Sequence, residues 1–201
     1  MPINWVDLIT KTCQTLIKLD IRSFPTSPLD INFGNTIIVS YQEYERLANA
    51  SIVNLGIKHD LRDAVLIRKT RPGLNLILYN NAMYSKRKGF SLWHEIGHVE
   101  CDHTQHGSKQ EAEANFFASQ IIAPSVLIRE LLNRGYPTDA NFIATHFGMS
   151  NEAARIRIEN FTKYEHESVH EYDDVLLLQF TNFLDSKFPS QTLSHNFEND
   201  F

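Results

Sequence analysis

The run His94-Glu95-Ile96-Gly97-His98 places two imidazoles four residues apart, with a carboxylate directly after the first. Four steps along a helix return to nearly the same face, so both rings can offer a nitrogen to one ion. Glu95 then stands beside the two donors, placed to take a proton from an attacking water and hand it to a leaving amine. That is the chemistry of metal-assisted peptide hydrolysis. Phe90, Leu92, Trp93, Ile96 and Val99 surround these polar residues, so the helix reads as buried. A buried pair of imidazoles beside a carboxylate is unfavourable unless a cation joins them.

Hydrolysis at such an ion needs a third protein donor and one open position for water. The arrangement H-E-x-x-H-x-x-G-x-x-H is excluded, because position 101 is Cys and position 104 is Thr. His103, His106, Glu111 and Glu113 remain. On a second helix over 109–123, Glu111 shares a face with Ala114, Asn115, Ala118 and Ile122, a face that reads as buried. Glu113 falls about 200° away on that helix, with Lys109 and Gln120, on a face that reads as solvated. Glu111 is therefore the expected third ligand, and Asn115 is placed to hold a ligand imidazole. Ser108-x-x-Glu111 is also a capping-box pattern, which would give Glu111 a purely structural job. His103 and His106 are expected in the loop beside the site rather than among its ligands. Cys101 is expected to pack as an inert thiol.

The elements that must position these residues follow from periodicity and from turn residues. An amphipathic helix is predicted over 3–19, with Cys13 on the same face as Trp5, Ile9 and Leu16, and the prolines at 25 and 28 end it. A strand over 35–40 leads into a helix over 41–49. Strands over 64–67 and 74–79 flank Pro72-Gly73 and read as a hairpin, whose free edge could take an extended peptide beside the metal-binding helix. After a basic loop (Lys86, Arg87, Lys88, Gly89) come helices over 90–101 and 109–123, the second stopped by Pro124. Shorter helices are predicted over 139–146 and 151–161, then a charged stretch over 164–174 and an amphipathic helix over 175–188. No element is expected beyond Pro189.

Strands come first and helices afterwards, which makes the class α+β. The expected architecture is a small antiparallel sheet packed on a mainly helical, zincin-like core, followed by a helix-turn-helix-like pair. The expected division is a metallopeptidase domain over 1–135, the helical pair over 136–164, and a final helix and tail over 165–201.

The chain has 201 residues, 42% of them hydrophobic and 21% charged, a balance that supports a globular core and excludes a disordered chain. A net charge of −5 gives no general affinity for a polyanion. Two cysteines are too few for a disulfide framework. The first residues lack the basic and apolar blocks of a signal peptide, and the longest apolar stretch, 175–178, is too short to span a bilayer. A cytoplasmic protein is expected.

Phe90-Ser-Leu-Trp-His94-Glu-Ile-Gly-His98, a further histidine at 103, and Glu111-Ala-Glu113-Ala-Asn115-Phe-Phe-Ala118-Ser-Gln-Ile-Ile-Ala-Pro124 resemble the ImmA/IrrE metallopeptidases. That family shows H-E-x-G-H, then E-x-x-A-N-x-F-A, then a short apolar run closing on proline. The resemblance covers about 74–161. It departs at Trp93, where a small residue is commoner, and at Ala123, where methionine is frequent. It implies one zinc ion per chain held by His94, His98 and Glu111, with Glu95 as the catalytic glutamate. It also implies a cytoplasmic endopeptidase that cleaves a helix-turn-helix repressor and so switches on mobile-element or stress-response genes.

Two other readings compete. Residues 138–161 have helix-turn-helix character, with a Gly148-Met149-Ser150 turn before a helix carrying Arg155 and Arg157. Glu152 and Glu159 on that helix weaken its charge, so direct nucleic-acid binding is not expected. The other reading is a metal-stabilised module that docks on a partner protein without proteolysis. The aromatic stripe Phe180, Phe183, Leu184 and Phe188 is expected to cover the protein's own core.

Overall fold

Short polar side chains open several of the helices. Asn4 Oδ1 accepts from the Asp7 amide at 3.2 Å, Ser40 Oγ from the Glu43 amide at 3.2 Å, and Asp139 Oδ1 from the Phe142 amide at 2.8 Å. Each fills a donor that the first turn of a helix leaves unpaired. The computed structural model describes residues 2–57, 63–71, 73–105, 107–164 and 170–191. These caps begin α1 (Trp5–Lys18), α2 (Tyr41–Ala48) and α6 (Ala140–Phe147). The other elements are β1 (Thr36–Ser40), β2 (Ala64–Arg71), β3 (Leu74–Tyr79), α3 (Ser85–Glu100), α4 (Ser108–Ile122), α5 (Ser125–Asn133), α7 (Asn151–Tyr164) and α8 (Asp173–Lys187). The class is α+β, as expected.

The sheet has the order β1-β3-β2. β2 and β3 form the expected antiparallel hairpin, with Ala64 opposite Tyr79 and Leu66 opposite Ile77. β1 runs parallel to β3, pairing Thr36 with Asn75 and Ser40 with Tyr79, so the sheet is mixed rather than antiparallel throughout. The reason is connective: the hairpin reverses the chain a second time, and its returning arm regains the direction of β1. Of the turn expected at Pro72-Gly73, Pro72 lies outside the described residues, and Gly73 has the positive φ of 78° that glycine allows. Alternation along β3 feeds two cores. Ile77 and Tyr79 join the main one, while Leu78 packs with Tyr41, Ile52 and Ile57 on the other face.

The main core draws on residues from Leu8 on α1 to Phe188 after α8. Cys13 and Leu16 lie in it, as do Phe180, Phe183, Leu184 and Phe188. α3 begins at Ser85, five residues before the helix expected at Phe90. Basic residues oppose the helix dipole at an N-terminus, and here each has an acceptor: Arg87 Nε on Asp63 Oδ2 (2.6 Å), Lys86 Nζ on the Ala144 carbonyl (3.1 Å), and Lys88 Nζ on Asn81 Oδ1 (2.8 Å). α5 was not expected, although Val126, Leu127 and Leu131 carry its buried face. Part of the charged stretch, 165–169, and the tail from 192 onwards lie outside the described residues.

α6 and α7 meet at Gly148, which caps α6 with a φ of 77°. The two arginines of α7 have different surroundings. Arg155 is exposed and lies against Glu152 and Glu159. Arg157 is 0% exposed and donates to the Ala123 carbonyl (2.8 Å), Gln120 Oε1 (3.0 Å) and Ser125 Oγ (2.9 Å), clamping α7 onto the junction of α4 and α5. Arg157→Ala strands those buried acceptors and opens a cavity, so urea titration should show a loss of about 3 kcal/mol. Arg155→Ala, which breaks exposed pairs only, should change stability by less than about 1 kcal/mol.

Candidate metal centre

Gly97 sets the spacing of the two helices that form the site. A Cβ at that position would lie 3.1 Å from Phe117 Cδ1 and 3.2 Å from the Ala114 carbonyl oxygen, tighter than ordinary van der Waals contact, so a larger residue would require α4 to give by a few tenths of an ångström. The close crossing brings Glu111, on the first turn of α4, opposite the two histidines of α3. His94 Nε2 and His98 Nε2 are 3.1 Å apart. Glu111 Oε2 is 3.3 Å from the first, and Glu111 Oε1 is 3.5 Å from the second. Three donors around one zinc ion at about 2.0–2.1 Å would be separated by about 3.3 Å in a tetrahedral set. With the nearer carboxylate oxygen taken for each imidazole, the observed separations are compatible with such a set.

Proton positions sharpen the test. His94 Nδ1 lies 2.9 Å from Asn115 Oδ1 and donates to it. His98 Nδ1 lies 2.9 Å from His103 Nδ1, and His103 Nε2 lies 2.9 Å from Glu113 Oε2. A carboxylate only accepts, so His103 carries its proton on Nε2, and its Nδ1 accepts from His98 Nδ1–H. Burial holds His103 below the ordinary histidine value, against the opposing pull of Glu113, which favours this neutral form. Both protons of the ligand pair are therefore directed away from the cleft. Two bare Nε2 lone pairs and a carboxylate face one another, an arrangement that repels itself until a cation lies between them. The residues present fit a divalent metal.

The structure thus brings together His94, His98 and Glu111, the three residues expected from the sequence. It revises the surroundings of the two glutamates. The Glu111 side chain is 48% exposed, at the mouth of the cleft, and the Glu113 side chain is only 14% exposed. The reading of α4 assumed one buried face, but this helix packs against α3, α1 and α7 together, so Gln120 on the supposedly solvated face is also buried. The capping alternative for Glu111 is not realised: Gly107 is the N-cap, with no side-chain cap bond. His103 reaches the site because Asp102 ends α3 in a left-handed conformation (φ 51°), which turns the His103 amide back to the His98 carbonyl at 3.0 Å. Arg68 of β2 donates to that same carbonyl and pairs with Asp102 at 3.3 Å. The bond from His103 to Glu113 was legible only as two polar residues ten positions apart. His106 lies outside the described residues. Burial pushes the Cys101 thiol up to about 11, so it stays protonated near neutral pH.

Glu95, half-buried, lines a cleft of about 730 Å³ together with the triad, Asn115, Phe90, Ser91 and residues 63–66. β2 forms one wall of that cleft and is the edge strand beyond β3. The family model of Peptidase_M78, described as the IrrE N-terminal-like domain, matches residues 56–159, more than half of the chain. The chain belongs to this family. The Peptidase_M78 match takes in β2, α3 and α4, and with them every residue of the centre just described. It also starts earlier than the resemblance over 74–161, adding the strand that walls the cleft. No curated protein matches the chain.

Of the two carboxylates, Glu111 faces the two imidazoles and Glu113 holds His103, so they are expected to differ in metal binding. Glu111→Ala should abolish stoichiometric zinc uptake. Glu113→Ala should still bind one equivalent, with affinity lower by about 10–100-fold, as for other groups that orient a ligand imidazole. Competition with a chromogenic chelator distinguishes the two; equal losses would contradict the assignment.

Proposed function

We propose that this member of the Peptidase_M78 family is a zinc-dependent endopeptidase. In this reading one zinc ion per chain is held by His94, His98 and Glu111, and Glu95 is the general base. The observation that carries it is the convergence of the Nε2 atoms of His94 and His98 on the Glu111 carboxylate, with the Nδ1 atoms behind them engaged by Asn115 and His103. A zinc ion there would supply Lewis acidity, polarising the scissile carbonyl and lowering the pKa of a water to about 7. Glu95 takes the proton from the attacking water and passes it to the departing nitrogen. Asn115, and Glu113 acting through His103, hold the imidazoles with their Nε2 atoms towards the cleft.

An extended substrate is placed by β2, whose outer edge pairs with no strand among the described residues. A peptide adding there would lie along one wall of the cleft that Glu95 also lines. The proposed substrate is a regulatory protein, such as the helix-turn-helix repressors cut by members of the ImmA/IrrE family, and the proposed compartment is the cytoplasm. In keeping with that, both cysteines are free, and no helix among the described residues is long and apolar enough to cross a membrane. The surroundings of Arg155 and Arg157 favour a protein substrate over direct nucleic-acid binding, since neither presents an unengaged guanidinium on an open face of α7.

Glu95→Gln separates an enzyme from a binding module. It should retain one equivalent of zinc while cleavage of a denatured, fluorescence-quenched protein substrate falls by about 10²–10⁴-fold. Unchanged cleavage by the zinc-loaded variant would refute the assigned base. In peptide substrates, proline placed within two residues of the cut should stop turnover by removing the amide that pairs with β2.

A further inference from the structure

A second cavity, of about 640 Å³, adjoins the metal cleft: it shares Asp63, Phe90 and Ser91 with it and reaches towards the start of α3. The far walls are Tyr84 to Arg87 on one side and Ser150 and Ala153, at the start of α7, on the other. These walls are mostly carbon. The cationic heads are already engaged, Arg87 by Asp63 at 2.6 Å and Lys86 by the Ala144 carbonyl at 3.1 Å, so the space offers little to an anion. Tyr84 is 79% exposed and lines this cavity, an unusual degree of exposure for an aromatic ring.

We propose that this cavity is a substrate subsite that takes one large apolar side chain, aromatic by preference, of the peptide bound along β2. The assignment rests on the peptidase reading and adds a specificity to it. Its position follows from helix geometry. Phe90 lies about 6 Å before His94 along α3, and Lys86 about 12 Å, at a rise of about 1.5 Å per residue. An extended peptide advances about 3.3 Å per residue, so the residue over this cavity is two or three positions from the scissile bond. An aromatic side chain buries about 150–250 Å², and the cavity has room for one. A charged side chain would lose its water against walls that are mostly carbon and whose cationic heads are already engaged.

The test uses the zinc-loaded full chain and a degenerate peptide library, with cleavage sites mapped by mass spectrometry. Phe, Tyr, Trp, Leu or Met should be enriched at a single position two or three residues from the cut. Replacing that residue by Gly in a defined peptide should lower kcat/KM by about 10–100-fold. Ala153→Phe fills the cavity and should bring the ratio of Phe to Gly peptides close to one; Tyr84→Ala, a surface change, should reduce it. Cleavage without this enrichment, or a ratio that neither variant moves, overturns the subsite and leaves the peptidase reading intact. If the loaded protein cuts nothing, the peptidase reading fails, and binding decides the cavity. Calorimetry with short peptide hydroxamates should then show at least about tenfold tighter binding for a Phe over a Gly side chain at that position, and equal affinities overturn it.

Discussion

Two imidazole nitrogens, 3.1 Å apart, each lie within 3.5 Å of an oxygen of the same carboxylate. Here each imidazole is fixed from behind, His94 by Asn115 and His98 by His103, and the two helices meet closely at Gly97, where an added Cβ would crowd Phe117 and Ala114. The packing of α3 on α4 is thus the means by which these groups are kept together, in an arrangement that fits a divalent cation. Membership of a peptidase family and the geometry of these side chains point to the same chemistry.

The helix that carries both histidines was readable because its information is local: a spacing of four, an apolar surround and a glycine between. Glu111 was chosen for a partly mistaken reason. Small and apolar neighbours on its helical face suggested burial, whereas its carboxylate stands at an open mouth and Glu113 is the shielded one. Periodicity reports one face of one helix, and α4 has neighbours on several sides. The role of Glu113 depends on a loop that turns back at Asp102, and no pattern in the sequence marks that reversal. The basic start of α3 reads as loop when only the dipole is considered, and its acceptors on Asp63, Asn81 and the α6 backbone come from distant parts of the chain. Likewise β1 reads as a strand, but whether it runs with or against its neighbour depends on which arm of the hairpin it meets.

α7 illustrates how the same residue type is put to two uses. The helix-turn-helix-like pair is present in outline, with Gly148 at its turn. Its arginines, which from sequence alone could face a phosphate backbone, are instead engaged within the protein, one by flanking glutamates and one inside the core at the end of α4. Arg157 reaches the Ala123 carbonyl and the side chains of Gln120 and Ser125, the segment that follows the donor-bearing turns of α4. The shape of the pair is therefore explained by its support of the central helix.

Arg68 belongs to the strand that walls the cleft, yet its guanidinium grips the last turn of α3 through the His98 carbonyl and Asp102. In the proposed function, a peptide that adds to that strand would lie on the same backbone that carries the anchor of His98. Seating of the guest and the setting of that histidine would then be mechanically joined by one side chain.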